Sequence, residues 1–354
     1  MKELDDVKLM ADADPKDMLG LVEGLPEQFE KGRELLKDFN LKPSYLKSKP
    51  NKIILTGLGG SAIGGDLIKA YFLNEIKIPV LVNRNYNLPA CVDSSTLLIV
   101  VSYSGNTEET LSAYKEGKQK KAQMVALTTG GKLLEMCKKD SIATHIIPAG
   151  FPPRASIGLQ FAGLVGILEK LGLSKDKSKD FKEMIQILKS MRKDFNRNVP
   201  TKENLAKKLA KDLVGRIPVI YATQDLNDVV ALRWKDQINE NGKAFAFNNI
   251  FPELNHNEIV GWEFPKNIIE NFSIIMIRDK QENPQVRKRF KITAELLKDI
   301  AYDIFEFRAM GDSLLARLFS AIYLGDYVSV YLALLYGTDP TPVKRIEELK
   351  KQLV

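Results

Sequence analysis

The chain has 354 residues, of which 44% are hydrophobic and 27% are charged, so we expect a soluble globular protein of about two domains. The formal net charge of +7 is spread along the sequence. A diffuse excess of this kind can steer an anionic substrate, but it is not the basic stripe that binds nucleic acid. The two cysteines, Cys91 and Cys137, lie in no metal-binding or redox motif, and no apolar leader opens the chain. We therefore expect a cytoplasmic protein without disulfides, bound metal or a membrane span.

Helical patterns dominate the first part of the chain. Asp14-Pro15 is typical of a helix start, and the helical pattern continues over residues 31–40. Short apolar runs follow, each leading into Gly or Ser and then into a helical stretch, at residues 52–56, 79–83, 97–101, 123–128 and 143–147. Near-continuous apolar runs separated by helices are typical of parallel strands buried on both faces. The pattern predicts a doubly wound α/β domain.

A second, weaker series of the same kind follows a Lys- and Asp-rich helical region at residues 174–211. Its apolar runs lie at residues 217–222, 244–247, 272–277 and 304–307. The long apolar stretch 314–336, interrupted by Gly325-Asp326, predicts a helix that lies either in the core or in a dimer interface. The repetition of strand, loop and helix suggests two similar halves.

The first apolar run leads into the glycine-rich sequence Gly57-Leu58-Gly59-Gly60-Ser61-Ala62. Glycines let the backbone approach a ligand closely, and a helix that begins near Ser61 would direct its N–H groups at an anion. The same letters fit the dinucleotide pattern GxGxxA. That pattern needs an acid after the second strand, where this chain has Asn83-Arg84-Asn85, although an Arg could suit NADP. Tight packing of helix on strand, without a ligand, is the third interpretation.

The third apolar run leads into Ser102-Tyr103-Ser104-Gly105-Asn106-Thr107. Three hydroxyls surround a glycine here, and Ser104 or Asn106 is expected to cap the following helix. Capping alone accounts for one or two of these side chains, but not for all of them. Loops at the carboxyl ends of parallel strands form the ligand crevice of a doubly wound sheet. Two such loops, rich in small donors and lacking a cation, predict a site for a phosphate monoester.

The two loops resemble the sugar isomerase domain family, whose pattern is a strand followed by GxGxS and a later strand followed by SxSGxT. The matches lie at residues 57–61 and 102–107. From about Asp14 to the end, the chain is also similar to the bifunctional phosphoglucose/phosphomannose isomerases. The further residues that carry this similarity are Arg154 after two prolines, Glu240, His256 and a lysine near the C-terminus. Extra length at residues 174–197 is interpreted as a surface insertion away from the site.

The resemblance implies two doubly wound parallel-sheet sugar isomerase domains, a homodimer, no cofactor and no metal. The expected divisions are a helical N-terminal extension at 1–50, a first domain with the phosphate loops at 51–172, a second domain beginning with a lysine-rich helical linker at 173–338, and a C-terminal helix returning to the active site at 339–354. The substrate phosphate is expected to contact Gly59, Gly60, Ser61, Ser102, Ser104 and Thr107.

The resemblance also implies four catalytic residues: Glu240, His256, Arg154 and Lys350, the last with its neighbour Lys351 as the alternative. Aldose–ketose isomerisation needs an acid to open the sugar ring, a base that reaches two adjacent carbons, and a cation for the enediolate. Glu240 suits the base, at the end of a helix that Gly242 is expected to terminate. His256 suits ring opening, and in related isomerases the catalytic histidine comes from the neighbouring subunit. Without the resemblance, these residues are ordinary surface or loop residues.

The implied activity is the reversible conversion of glucose 6-phosphate and mannose 6-phosphate to fructose 6-phosphate. A phosphoglucose isomerase without mannose activity is the narrower alternative. A sugar-phosphate-sensing regulator is another, but the first 50 residues contain no basic helix-turn-helix. An NADP-dependent dehydrogenase is disfavoured by the serine-rich second loop. The remaining histidine, His145, lies in the apolar run 143–147 and is expected in the core or at a strand end.

Overall fold

The computed structural model describes residues 4–353, which form two compact units. Unit A comprises residues 24–185, and unit B comprises residues 4–23 and 186–353. In chain order the elements are α1 (Val7–Ala13), α2 (Met18–Glu23), α3 (Leu25–Leu35), β1 (Lys52–Thr56), α4 (Gly60–Phe72), β2 (Val80–Asn83), β3 (Thr96–Ser102), α5 (Glu108–Gln119), β4 (Gln123–Thr128), α6 (Gly131–Asp140), β5 (Ala143–Ile146), α7 (Ile157–Lys170) and α8 (Ser178–Phe195). They continue with α9 (Leu205–Asp212), β6 (Ile217–Thr223), α10 (Asp228–Glu240), β7 (Phe247–Phe251), α11 (Glu258–Gly261), α12 (Lys266–Ile269), β8 (Phe272–Arg278), α13 (Pro284–Leu297), β9 (Asp303–Arg308), α14 (Leu314–Leu335) and α15 (Lys344–Gln352).

Unit A is built on a parallel sheet with strand order β2-β1-β3-β4-β5. Every residue of β3 and β4 is buried, which explains why their sequences are near-continuous apolar runs. The chain leaves β1 toward β2 on one side and leaves β3 toward β4 on the other. The boundary between β1 and β3 is therefore the topological switch point of this sheet. The doubly wound fold predicted for this part of the chain is confirmed.

Unit B has a second parallel sheet with strand order β7-β6-β8-β9. Three of its strands contain the predicted apolar runs, but the strand predicted at residues 244–247 is wrong in place. Strand β7 runs over Phe247–Phe251, and Phe245 lies before it with 78% of its surface exposed. Strand β7 lies at the edge of the sheet and carries Asn248 and Asn249. A strand that is not buried on both faces needs no continuous apolar run, so the run at residues 244–247 did not mark its position.

Helix α14 is the core helix of unit B. Among the described residues it alone is long and apolar enough to cross a membrane, yet its apolar window is entirely buried within the protein. Gly325 and Asp326 interrupt the apolar stretch but not the predicted helix, because α14 passes through both residues. Gly325 gives room to the Trp234 indole, which would lie 2.4 Å from an added Cβ. Asp326 is paired with Arg233 of α10 at 2.7 Å. The stretch therefore forms core rather than interface.

Helix α8 is not the surface insertion that its charges suggested. It buries an apolar stripe at a spacing of three to four residues, formed by Phe181, Met184, Leu188, Met191 and Phe195. In unit A, the ring of Phe181 contacts Phe29 with centroids 5.9 Å apart. In unit B, Phe195 contacts Tyr327 at 5.9 Å. Lys179, Lys182, Lys193 and Asp194 are exposed on the rest of the helix surface.

Candidate active site

The two loops singled out in the sequence lie side by side at the switch point of unit A. Strand β1 pairs with β3 along its whole length, up to Thr56 opposite Val100, so the loops that follow the two parallel strands leave the same edge of the sheet. Each loop leads directly into a helix, α4 or α5. This is the crevice in which doubly wound sheets bind ligands, with two helix N-termini beside it.

The first loop is closed by the hydroxyl of Ser61 in the first turn of α4. Ser61 is only 5% exposed. Its Oγ donates to Gln160 Oε1 at 3.0 Å and accepts from the backbone N–H of Tyr103, in the second loop, at 3.3 Å. One hydroxyl therefore connects both loops to α7.

Gln160 is a site residue that the sequence reasoning missed. It is fully buried, and besides contacting Ser61 its amide donates to Pro153 O at 3.2 Å and to Ser156 Oγ at 2.8 Å. The available signal was a lone Gln inside the apolar stretch Ile157–Lys170, because a buried amide needs hydrogen-bond partners. The partners that it found lie on the segment that contacts the first loop.

The second loop is a tight turn that carries the three predicted hydroxyls. Ser102 Oγ donates to Thr107 Oγ1 at 3.0 Å, and the exposed Ser104 accepts at Oγ from the backbone N–H of Asn106 at 3.2 Å. A hydroxyl that accepts a hydrogen bond keeps its own proton, so Ser104 and Thr107 retain donors for a ligand. Gly105 has φ +68°, and a Cβ there would lie 1.8 Å from Gly130 O. No other residue fits this position.

The predicted cap of helix α5 is wrong. Thr107, not Ser104 or Asn106, is the N-cap residue, and its side chain makes no capping bond. The Asn106 side chain instead accepts at Oδ1 from the backbone N–H of Lys132, in the first turn of α6, at 3.1 Å. Asn106 therefore holds the second loop against α6, and the hydroxyls are not consumed by capping.

Arg154 lies beside the first loop, in a short 3-10 turn over Pro153–Ala155. A Cβ added to Gly60 would lie 2.9 Å from Pro153 O and 3.3 Å from Arg154 Cα, so glycine lets the two segments touch. The turn is held by Gln28, whose amide donates to Ala155 O at 2.8 Å. Arg154 is 4% exposed. The structure thus brings the predicted arginine and the first, glycine-rich loop together.

Glu240, the predicted base, is the last residue of α10 in unit B and is partly buried. Lys243, which has φ +54°, donates its ammonium to the backbone carbonyls of Glu240 and Pro340. The left-handed residue that ends the helix is therefore Lys243 rather than Gly242. An ammonium at a helix C-terminus complements the negative end of the helix dipole.

Glu240 and Lys243 line a cavity of about 700 Å³ together with the beginning of α15. The cations that line this cavity are Lys243, Lys344 and Arg345. Lys350 and Lys351 are both exposed further along α15 and do not line it. The chain thus supplies positive charge near Glu240 from residues that the sequence reasoning did not select.

The two histidines differ sharply in environment. His256 ends a 3-10 turn over Glu253–His256 in unit B and is exposed. His145 of β5 in unit A is 2% exposed, and its buried Nε2 has no hydrogen-bond partner within residues 4–353. Burial, with a smaller contribution from the Lys170 charge, lowers the pKa of His145 to about 4. The core position predicted for His145 is confirmed, and His256 is the histidine that can contact a ligand.

Unit B has its own switch point, between β6 and β8, but the loop after β8 is held by charge pairs within the protein. Arg317 is fully buried; its guanidinium donates to Asp279 Oδ2 at 2.8 Å and to Gln281 Oε1 at 2.6 Å. The neighbouring Arg278 pairs with Glu282 at 2.8 Å. The polar side chains of this loop are therefore bound within the protein, whereas the two hydroxyl-bearing loops lie in unit A.

Comparison with known proteins agrees with this arrangement. Residues 46–149 match the SIS domain, and residues 202–353 match the bacterial phospho-glucose isomerase C-terminal SIS domain. A bifunctional phosphoglucose/phosphomannose isomerase from Caldicellulosiruptor bescii is 47% identical over 95% of this chain and 98% of its own. The chain belongs to the bifunctional phosphoglucose/phosphomannose isomerase family.

Other members of this family are also similar over nearly the full length. The Aquifex aeolicus bifunctional phosphoglucose/phosphomannose isomerase is 36% identical over 94% of this chain and 97% of its own. Among solved structures, tagatose-6-phosphate ketose/aldose isomerase from Escherichia coli has a TM-score of 0.70 and 17% identity, covering 92% of this chain and 95% of its own. The family assignment and the fold of two sugar isomerase domains, both expected from the sequence, are confirmed.

Proposed function

We propose that the protein interconverts glucose 6-phosphate and mannose 6-phosphate with fructose 6-phosphate. The observation that carries the proposal is the switch-point crevice of unit A, where Ser61 joins the two hydroxyl-bearing loops. The family membership supports the choice of sugar phosphates as substrates.

In this proposal the phosphate is held by backbone N–H groups and hydroxyls. Gly59 and Gly60 lie at the start of α4, where the absence of a Cβ lets the backbone N–H groups come close to the phosphate. The side chains that complete the phosphate site are those of Ser61, Ser102, Ser104 and Thr107. Ser104 and Thr107 donate to the phosphate, while Ser61 and Ser102 hold the loops in place. Hydrogen bonds to a charged phosphate are individually strong.

The chemistry assigned to the remaining residues follows from what an aldose–ketose isomerisation needs. His256 protonates the ring oxygen and opens the sugar. Glu240 removes the proton from C2 of the aldose and returns it to C1, passing through a cis-enediolate. The guanidinium of Arg154 and the ammonium of Lys350 stabilise the negative charge that develops on oxygen. The proton that Glu240 removes from C2 is the one that it returns to C1, so the substrate and product are isomers and the reaction needs no oxidant or reductant.

We also propose that the protein is a cytoplasmic homodimer in which His256 serves the site of the neighbouring subunit, acting in glycolysis or gluconeogenesis. Its two sugar isomerase domains would span residues 51–172 and 173–338, flanked by the extensions 1–50 and 339–354. The exposed position of His256 supports a role for it between subunits. The two SIS matches, over residues 46–149 and 202–353, support the presence of two such domains.

The activity is tested by measuring fructose 6-phosphate formation from each aldose, with EDTA present, for the native protein and for Glu240→Gln. We expect turnover of both sugars, unaffected by EDTA and reduced at least ~100-fold in the variant. Glu203→Gln, an exposed glutamate of unit B, is the matched control and should behave like the native protein. Turnover of glucose 6-phosphate alone would restrict the protein to phosphoglucose isomerase. Binding without turnover of either sugar would establish a sugar-phosphate-binding regulator instead.

The subunit exchange of His256 is tested by mixing two inactive variants, Glu240→Gln and His256→Asn. If each site combines Glu240 of one chain with His256 of the other, random re-pairing creates mixed dimers with one intact site. Activity would then recover to about a quarter of the native value, by the statistics of closed two-fold dimers. No recovery, with mixed dimers demonstrated by mass, would place both residues in the same chain's site.

A further inference from the structure

The segment that carries His256 is fixed on both sides of the histidine. His256 itself is exposed, whereas the residues immediately around it are bound to buried parts of unit B. The anchor after the histidine is Glu258, and the anchor before it is Asn255. A side chain that must meet a substrate from an exposed position needs a rigid backbone beneath it.

Glu258 is the stronger anchor. Its carboxylate accepts hydrogen bonds from the Tyr221 hydroxyl at Oε1 and from Asn249 Nδ2, at 2.5 Å, at Oε2. Tyr221 belongs to the central strand β6, is fully buried, and accepts at its hydroxyl from Trp262 Nε1 at 3.0 Å. Burial and the nearby Glu258 charge raise the pKa of Tyr221, so the phenol keeps its proton and donates it. Charge-assisted bonds of this kind are about twice as strong as neutral ones.

Asn255 anchors the other side. Its amide donates to Thr293 Oγ1 of α13 at 2.9 Å, and its Oδ1 accepts from Arg289 Nη1 at 3.3 Å. Thr293 is 1% exposed, so this contact is with the interior of the unit. Asn257 adds a local bond by donating to Glu253 Oε1 at 2.7 Å. The histidine is thus held between a strand on one side and a helix on the other.

We propose that Tyr221, Glu258 and Asn255 are positioning residues that fix His256 for protonation of the ring oxygen. The inference rests on the ring-opening role proposed above for His256. Proton transfer requires the imidazole to lie within hydrogen-bond reach of its target, and a displacement of about 1 Å can cost ~100-fold in rate. None of the three residues touches the substrate; each acts through the backbone that carries His256.

Ring opening has a readout of its own, independent of isomerisation. An opened sugar can close to either anomer, so a protein that opens the ring accelerates exchange between the α and β anomers of glucose 6-phosphate. This exchange is measured by NMR magnetisation transfer, while proton abstraction is measured as exchange of the C2 proton with solvent. Glu240→Gln should abolish proton exchange and leave anomer exchange intact, whereas His256→Asn should abolish anomer exchange.

The test compares Tyr221→Phe with Tyr331→Phe. Both substitutions remove one hydroxyl from a fully buried tyrosine of unit B; Tyr331 donates to Phe195 O at 2.7 Å and lies on α14, away from the histidine segment. We expect Tyr221→Phe to slow anomer exchange by roughly tenfold or more. The KM and the thermal stability should change no more than in Tyr331→Phe, which should keep the native anomer exchange. Glu258→Gln, which keeps the side-chain shape and removes the charge, is the second variant and should show the same selective loss.

Anomer exchange at the native rate in folded Tyr221→Phe or Glu258→Gln would overturn the positioning role, provided that His256→Asn reduces that rate. An equal loss in Tyr331→Phe would also overturn it, because the effect would then reflect general stability. If His256→Asn itself leaves anomer exchange unchanged, the ring-opening role of His256 fails, and the positioning inference fails with it. The assay of isomerase activity described above tests the proposed function separately from that outcome.

Discussion

The backbone N–H of Tyr103 donates a hydrogen bond to Ser61 Oγ across 3.3 Å, and this bond joins two loops whose bonded residues are 42 positions apart in the chain. The same oxygen donates to the buried amide of Gln160. The first loop, the second loop and α7 are therefore held in one arrangement before a ligand arrives. Preorganised donors of this kind bind a phosphate without the cost of ordering them.

Ser61→Ala should weaken phosphate binding. The substitution removes the hydroxyl that connects both loops to Gln160, so the donors of Ser104 and Thr107 are no longer held in one arrangement before the phosphate binds. Each of the two hydrogen bonds lost is worth about 0.5–1.5 kcal/mol. We expect the Kd for fructose 6-phosphate, measured by titration calorimetry, to rise by roughly tenfold or more. Ser94→Ala is the matched control, since Ser94 is exposed and lies just before β3, at the opposite edge of the sheet. Equal affinities for the two variants would contradict the assigned role of Ser61.

Gly105→Ala should destabilise the protein more than Gly215→Ala. Both glycines have a left-handed φ, +68° and +74°, so both substitutions carry a backbone penalty of about 1–2 kcal/mol. At Gly215 the added Cβ meets nothing within 4 Å, whereas at Gly105 it would lie 1.8 Å from Gly130 O. Each substitution lowers the free energy of unfolding, measured in urea, by some amount relative to the native protein. The difference between these two amounts gives the steric contribution at Gly105. Similar losses of stability in both variants would show that the second loop can move aside.

His145 should make stability depend on pH below neutrality. Its folded-state pKa is lowered from 6.5 to about 4 by burial, so the unfolded state binds the proton more readily. The contribution of the neutral histidine to the free energy of unfolding is fully present above pH 6.5 and is lost progressively as the pH falls from 6.5 to about 4. A shift of this size corresponds to about 3 kcal/mol at most.

The pH dependence is checked with His145→Leu, which replaces the buried imidazole with an apolar side chain that cannot bind a proton. Between pH 7 and pH 5, urea unfolding of the native protein should lose more free energy than unfolding of the variant, since the variant has no proton to bind there. Both proteins share every other titrating group. Parallel pH profiles for the two proteins would refute the assignment of this dependence to His145.

Asp326→Ala should be strongly destabilising. It leaves the Arg233 guanidinium, whose side chain is 2% exposed, without the carboxylate that it contacts at 2.7 Å. Removing one partner of a buried ion pair costs about 3–5 kcal/mol. Glu34→Ala is the comparison, because Glu34 pairs with Lys31 at 2.9 Å with both side chains at least half exposed, and such pairs contribute about 1 kcal/mol or less. Equal changes in the urea midpoint would show that Arg233 finds water or another acceptor.

The strands of unit A were predictable because each carries its own signal. Burial on both faces demands a continuous apolar run, and residues 52–56 and 123–128 form strands with those bounds. Strand β7 lies at an edge and escapes that demand, so the apolar run before it predicted the wrong residues. The charges of α8 suggested a surface insertion. Charged residues are evident from composition alone, whereas the buried stripe is recognised only from the spacing of its apolar residues by three to four positions.

The sequence by itself determined the class of fold, the two hydroxyl-bearing loops and the family, because local runs and short motifs encode these features residue by residue. Only the tertiary structure decided that Ser61 binds Tyr103 and Gln160, and that Lys243 rather than Gly242 ends the helix of Glu240. It also decided that Tyr221 and Thr293 hold the segment around His256. These contacts join residues distant in the chain, and their partners are selected by packing and by the need of buried polar groups for hydrogen bonds. No local sequence pattern predicts which distant residue each of these side chains will contact.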